Sequence, residues 1–208
     1  MSRVKKDVRR IIGQSPIAIV GDGQLELEYF TQFRTAERAL ALTIEPQLPN
    51  KGGKGGTHMK VLNKAKALWD SGDFSRVYCL IDFDTIVSEQ KEAVYEEQKQ
   101  KLVQSSNGKL VFIENHPCFE VWFLLHYQTL TKSYSRCDDV VRDLKLHLTD
   151  YKKTGRYYSA KQIYTFLKPA MCRYAMANAR QTDTPHAKLT LQGRSALYKF
   201  FEDLDICP

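Results

Sequence analysis

Two short apolar runs, each ending abruptly in acid, constrain this chain more than any other feature. Residues 16–20 read Pro-Ile-Ala-Ile-Val and stop at Gly21-Asp22-Gly23, while residues 77–81 read Val-Tyr-Cys-Leu-Ile and stop at Asp82-Phe83-Asp84. Continuous apolar runs of this length, bounded by turn residues, predict strands buried on both faces, as in the parallel sheets of α/β proteins. Leu27, Phe30, Phe33 and Leu40 form an approximate helical stripe after the first run, and Met59, Leu62, Ala65 and Leu68, with Trp69, form a second before the next strand. A weaker strand over 42–48, with Pro46 marking an edge or an irregular end, and a fourth over 110–113 extend the alternation of strand and helix. That alternation favours βαβ units.

A charged helix is predicted over 89–104, closed by Asn107-Gly108, and a strongly apolar, buried one over 118–127. Beyond about residue 131 the pattern is helical, over 140–148, over 159–179 with a break at Pro169, and over 194–204. The expected fold is α/β: a mainly parallel sheet of about four strands flanked by helices. Residues 14–130 would form the core, and 131–208 a basic helical C-terminal region packed on it.

Polar groups just beyond the carboxyl ends of parallel strands are the usual place for ligands. Asp22, Asp82 and Glu114 fall there, and Glu26 follows Asp22 by four residues at the entry to a helix. Alternate residues of an extended segment share a face, so Asp82 and Asp84 are expected to point at one site. Close carboxylates repel unless a cation neutralises them, and hard oxygen ligands suit Mg²⁺ or Mn²⁺. Taken singly, each cluster is equally an ordinary helix cap or surface feature. The two clusters together, each after a strand, are more specific.

The net charge is +7, and it is unevenly spread. Residues 150–200 hold ten Lys and Arg against Asp150 and Asp183, an excess of +8, whereas residues 82–120 lean acidic. One part of the chain could attract a polyanion while another holds cations against it, and a solvated basic face is the plainer reading. The five cysteines are scattered, with no Cys-x-x-Cys spacing, which argues against a disulfide framework and against a cysteine zinc site. A reducing cytosol is the expected compartment. No apolar run approaches the ~20 residues that span a bilayer, and the basic N-terminus lacks the apolar stretch of a signal peptide.

The order of strand, acidic residue, glycine, acidic residue, helix and a later strand ending in Asp-x-Asp resembles the Toprim domain of topoisomerases, primases and OLD-type nucleases. A closer likeness follows. Residues 19–30, Ile-Val-Gly-Asp-Gly-Gln-Leu-Glu-Leu-Glu-Tyr-Phe, are similar to the opening motif of the RloB-like family, usually Glu-Gly-x-x-Glu-x-x-Tyr-Phe. Residues 115–127, Asn-His-Pro-Cys-Phe-Glu-Val-Trp-Phe-Leu-Leu-His-Tyr, resemble that family's Asn-Pro-Cys-Phe-Glu segment, the more specific motif of the two. The likeness runs from about Ile17 to Leu204.

The resemblance implies metal-ligand roles for Asp22, Glu26, Asp82 and Asp84, a further catalytic role for Glu120, and a weaker match of Tyr151-Lys152-Lys153 to a Tyr-x-Lys that makes Lys153 a candidate. It also implies a Toprim nuclease of bacterial defence loci, acting on DNA or RNA, often beside an ATPase partner protein; that no membrane is expected as a partner rests on the apolar runs alone. A homo-oligomer is compatible with the resemblance. Two departures stand out: Asp22 occupies the usual glutamate position, one methylene shorter, and His116 separates Asn115 from Pro117.

Lys51 and Lys54, in Lys-Gly-Gly-Lys-Gly-Gly-Thr, sit in a loop without the Walker pattern, so it is a phosphate-contacting segment or a plain linker. Lys152, Lys153, Arg156 and Lys161 complete the candidate nucleic-acid contacts. Tyr157, Tyr158 and Tyr164 lie among them and could stack on bases if exposed. His126 is expected to be a core histidine, Trp122, Phe119 and Phe123 core packing, and Cys118 a buried inert thiol. Three functions remain in view: a metal-dependent nuclease, a non-catalytic sensor or partner-binding module on the same scaffold, and a metal-dependent phosphotransferase acting on nucleotides.

Overall fold

The computed structural model describes residues 16–21, 23–37, 42–45 and 57–207, with 42–45 and residue 57 as backbone. Asp22, Lys51 and Lys54 lie outside the described residues. Among the described residues, β1 (Ile17–Val20), β2 (Leu42–Glu45), β3 (Arg76–Asp82), β4 (Leu110–His116) and β5 (Arg194–Ser195) form one sheet in the order β2-β1-β3-β4-β5. The first four strands are parallel, and β5 pairs antiparallel with the end of β4. The expected mainly parallel α/β sheet is present, with a short antiparallel addition at one edge.

Strand alternation divides the core. Ile17, Ile19, Tyr78, Leu80 and Ile113 face one side, whereas Ala18, Val20, Val77, Cys79, Ile81, Leu110 and Phe112 face the other. The first face is covered by α1 (Gln24–Ala36), which lays down Tyr29, Phe30 and Phe33. The second is covered by α2 (Thr57–Asp70) with Val61, Leu62 and Ala65, and by Tyr95 from α4 (Glu92–Ser105). The short helix α3 (Asp84–Ser88) follows β3 directly. Because β1 is flanked by β2 on one side and β3 on the other, successive crossovers diverge there. Such a switch point opens a crevice at the carboxyl ends of the strands, where open α/β sheets bind ligands.

The C-terminal region shares the first face. Trp122 lies in α5 (Glu120–Leu124) and donates Nε1–H to Tyr29 Oη at 3.0 Å, while its ring stacks on Phe201. Tyr158 of α7 (Gly155–Lys161), Tyr164 and Leu167 of α8 (Ile163–Ala170), and Phe200 and Phe201 of α11 (Tyr198–Asp203) join the same cluster. The helix α6 (Cys137–Leu144) adds Val140 and Leu144. Trp122, Phe119 and Phe123 are thus core, as expected, and so is His126, whose Nδ1 lies 2.7 Å from the Trp122 carbonyl.

Several expected elements differ in extent. The apolar helix over 118–127 shrinks to α5, because a segment enclosed on all sides need not keep one helical face and turns through short i+3 bonds at both ends. The helix over 194–204 begins at Tyr198; Arg194 and Ser195 are β5, a strand too short to show a period in sequence. At Pro169 the chain does not break. A π turn (Met171–Ala175) accommodates it and carries α8 into α9 (Met176–Thr182), consistent with the hydrogen bond that proline cannot donate. Thr154 and Thr184 cap α7 and α10 (Pro185–Leu189) by accepting from Tyr157 N and Ala187 N.

The cysteine expectation is overturned. Cys118 pairs with Cys137, and Cys172 with Cys207, leaving Cys79 as a buried thiol. The partners are 19 and 35 residues apart, so packing rather than local spacing brings them together. Cys118 is buried but is not a thiol. Among the described residues, no helix is long and apolar enough to cross a membrane.

Burial lowers the pKa of His126, and of His116, to about 4, although backbone hydrogen bonds pull both the other way. Both are neutral when folded at pH 7, and an unfolded histidine titrates near 6.5. Their contribution is therefore complete above pH ~6.5 and lost as pH falls toward 4, by about 1.4 kcal/mol per pH unit for each. Urea titrations between pH 7.5 and 4.5 should show this decline; a flat profile would mean the rings are accessible.

Candidate active site

β3 ends at Asp82, Phe83 turns into helical conformation (φ −90°, ψ −11°), and Asp84 opens α3. The turn is tied to the chain leaving β4, with Phe83 N–H donating to the Asn115 carbonyl and Asp84 N–H to that of Pro117, both at 3.0 Å. Asp84 Oδ1 accepts from Thr85 N–H at 2.6 Å, at a helix start where a carboxylate is favoured by the backbone dipoles. Asp82 and Asp84 do border one cavity of about 190 Å³, together with His58 of α2. They arrive there by a strand-to-helix turn, not by alternation along a strand, because Asp84 is already helical.

Asp82 is oriented by Asn115, whose Nδ2 lies 3.4 Å from Oδ1. Asn115 is fully buried, and its Oδ1 accepts from Ser195 Oγ at 2.7 Å. The parallel register sets Asp82 directly beside Asn115, and the antiparallel register sets Asn115 beside Ser195. Sequence reasoning assigned no role to Asn115 or Ser195. The only trace of the former was its place in the Asn-His-Pro-Cys-Phe-Glu segment, and β5 gave no signal at all.

Glu26 is the third residue of α1 and is 7% exposed. Its carboxylate folds back over the helix start, so closely that a Cβ on Gly23 would fall 1.7 Å from Oε2. Glycine at position 23 is what leaves room for it. Glu120, the first residue of α5, is 1% exposed. It accepts from Lys153 Nζ at 2.9 Å and from Tyr151 Oη at 3.2 Å, and Tyr151 Oη is in turn 2.8 Å from Tyr158 Oη. The Tyr-x-Lys match therefore delivers both of its defined residues to one carboxylate.

Burial works against the Lys153 ammonium, but Glu120 outweighs it, with Asp82 and Glu26 adding to the same effect, and the pKa is held above that of an ordinary lysine. Burial also raises the Tyr158 phenol, and Tyr151, Glu120 and Glu26 push it further. The Lys153 ammonium thus lies in the field of three carboxylates, Glu120, Asp82 and Glu26. Cys137 Sγ lies 3.2 Å from Glu120 Oε2, a contact and not a hydrogen bond, since a disulfide sulfur has no proton.

Among the described residues, the ligand-type atoms gathered within 4.8 Å of one another are those of Cys118, Glu120 and Cys137. With the two sulfurs joined, they are not thiolate ligands. The carboxylate oxygens at the crevice suit a hard cation that keeps several waters, and His58 adds a ring nitrogen to the wall of the same cavity.

The basic C-terminal region is less free than its composition suggested. Lys153, Lys161, Lys168, Arg180, Lys188 and Lys199 all form ion pairs, and Arg194 is buried. Lys152 and Arg156 remain exposed on either side of the Lys153–Thr154 turn. Tyr158 and Tyr164 are fully buried and do not offer stacking faces; Tyr157 is half-buried and donates to Asp150.

A doubly wound α/β protein with an acidic crevice at its switch point is the class that this fold and site define. The family model described as RloB-like protein matches residues 17–204, and the chain belongs to that family. No curated protein and no solved structure matches it.

Gly23→Ala should displace the Glu26 carboxylate while costing less than about 1 kcal/mol of stability, because the clash is with the end of a flexible side chain at a helix cap. A crystal structure and a melting curve of the variant check both parts; a large loss of stability would show that Gly23 serves the backbone instead.

Proposed function

We propose that this protein is a divalent-metal-dependent nuclease that hydrolyses phosphodiester bonds of DNA or RNA. The observation that carries the reading is the convergence of Asp82 and Asp84 on one cavity at the switch-point crevice, with Glu26, Glu120 and the Lys153 cation in the same electrostatic field. Glu26, Asp82 and Asp84, with Asp22, would hold Mg²⁺ or Mn²⁺, which supplies charge stabilisation at the scissile phosphate and a more acidic bound water.

The chain's own groups support that chemistry in distinct ways. Asn115 holds the Asp82 carboxylate through Oδ1. Lys153 stays protonated, so it acts as a cation and not as a base. Its side chain is 49% exposed, and its remaining N–H donors can meet a phosphate oxygen. Lys152 and Arg156 extend the positive charge along the path of a backbone. Membership of the RloB-like family supports a role in bacterial phage defence, beside an ATPase partner protein.

A second reading, a binding module that keeps the scaffold without cleavage, is favoured by one observation. Lys153 already neutralises Glu120, so less negative charge remains to attract an ion. The two readings part in one experiment. Purified protein is incubated with mixed single- and double-stranded DNA and RNA and Mn²⁺, beside the Asp82→Ala/Asp84→Ala variant. Cleavage by the wild type should fall at least about 100-fold in the variant, since even groups that only support a ligand cost 10–100-fold, with circular dichroism unchanged. Equal cleavage by both proteins would overturn the nuclease reading, and binding with no cleavage by either would establish the second. Asn115→Ala should lower cleavage by about 10–100-fold by releasing Asp82, with the loss appearing as a higher Mn²⁺ requirement.

A further inference from the structure

Arg194 is a buried cation without a mate. Its residue is 3% exposed, and neither Nε nor Nη1 has a hydrogen-bond partner. The two carboxylates in whose field it lies are Glu114 and Asp183. Both are engaged elsewhere: Glu114 by Lys99 at 2.6 Å, Tyr95 at 3.1 Å and Lys188 at 3.5 Å, and Asp183 by Lys199 at 2.6 Å and Tyr198 at 3.2 Å. Burial lowers the guanidinium's pKa, but arginine remains charged. Its visible compensation is the face of Phe83, 5.3 Å away. An isolated buried charge is costly enough that proteins rarely keep one without a partner.

Arg194 borders a cavity of about 500 Å³, within the usual range for small-molecule sites. Phe83, Val87, Tyr95 and Leu191 give it apolar walls. Leu189 stands at the same cavity with 85% of its surface in water, a large apolar side chain with nothing over it. Leu191 is held at φ 54°, a left-handed conformation that a leucine rarely adopts. Its lining carries three carboxylates, Glu92, Glu96 and Glu114, against two cations, Lys188 and Arg194, a balance that disfavours a polyanion even though Glu96 also pairs with Lys99.

We propose that this cavity binds a small organic monoanion, an apolar or aromatic body carrying one carboxylate or phosphodiester group, with the oxyanion on Arg194 and the body against Phe83, Val87 and Leu191. That acidic balance selects against nucleic acid and polyphosphates, so the site is separate from the crevice used by the nuclease reading and does not depend on it. Phe83 joins the two, since it stands between Asp82 and Asp84 in sequence and forms part of the cavity wall.

Calorimetry without added metal tests the site, using 1-naphthoate and 1-naphthyl methyl phosphate as probes, 1-naphthamide as the neutral analogue and oligo-dT as the polyanion. Saturable binding of one equivalent of either anion is expected, with the amide weaker and oligo-dT unable to compete. Whichever anion binds more tightly identifies the oxyanion class. Arg194→Met should weaken anion binding about 10- to 100-fold, the worth of a charged hydrogen bond, while its melting temperature holds or rises because an unpaired charge has been removed. Val87→Trp, which fills the cavity and keeps the arginine, should abolish binding and serves as the check if Arg194→Met fails to fold. Equal affinity for acid and amide, unchanged binding in either folded variant, competition by oligo-dT, or no saturation by either anion would each overturn the proposal.

Discussion

A carboxylate cannot leave water without partners, and Glu120 has left water almost completely. Its two partners, Tyr151 and Lys153, come from the region after residue 131, while Glu120 itself opens the short helix that follows the last parallel strand. The pairing therefore joins the two parts of the chain at the crevice. Removing either partner leaves a buried charge under-compensated, a larger penalty than the pair's own net contribution. The aromatic layer beneath it, from Tyr29 through Trp122 to Phe201, makes the same junction in apolar terms.

The same logic runs through the other buried polar groups. Glu114 shows the competition directly: burial pushes its carboxyl up, and Lys99, Lys188 and Tyr95 together pull it below the ordinary range. Asn115 is buried with its amide oxygen satisfied by Ser195 and its nitrogen directed at Asp82. Each buried polar side chain at the strand ends is thereby held in one orientation, which is what a ligand site requires of its walls. Arg194 differs in being a charge beside a cavity with no protein oxygen bonded to its Nε or Nη1.

Much of this could be seen in the residues themselves. The strands over Ile17–Val20 and Arg76–Asp82 were legible because a run buried on both faces must be apolar throughout, and because it ends where Gly or Asp appears. Phe30 and Phe33 on the first helix and the enclosed segment around Trp122 were legible for similar reasons, whereas Tyr29, which lies between the expected stripe positions, was not. Extents were less so. Periodicity does not register a two-residue strand such as β5, nor the π turn after Pro169, since neither repeats long enough to leave a pattern. The cysteines misled because the absence of a local motif says nothing about pairs that meet through folding.

The sequence by itself determined the fold class, the order of strands and helices in the first half, and the placement of Glu26, Asp82 and Asp84 at element ends. These follow from hydrophobic runs and turn residues, which act over a few positions of chain. Only the tertiary structure decided which groups those carboxylates meet. Asp82 with Asn115 and Glu120 with Lys153 are each 33 residues apart, and Asn115 with Ser195 is 80 apart. Such contacts depend on sheet register and helix packing, which involve the whole core at once and leave no local trace. The unpaired state of Arg194 is of the same kind: a lone arginine in a basic stretch reads as solvated charge until burial and the prior engagement of Glu114 and Asp183 are seen together.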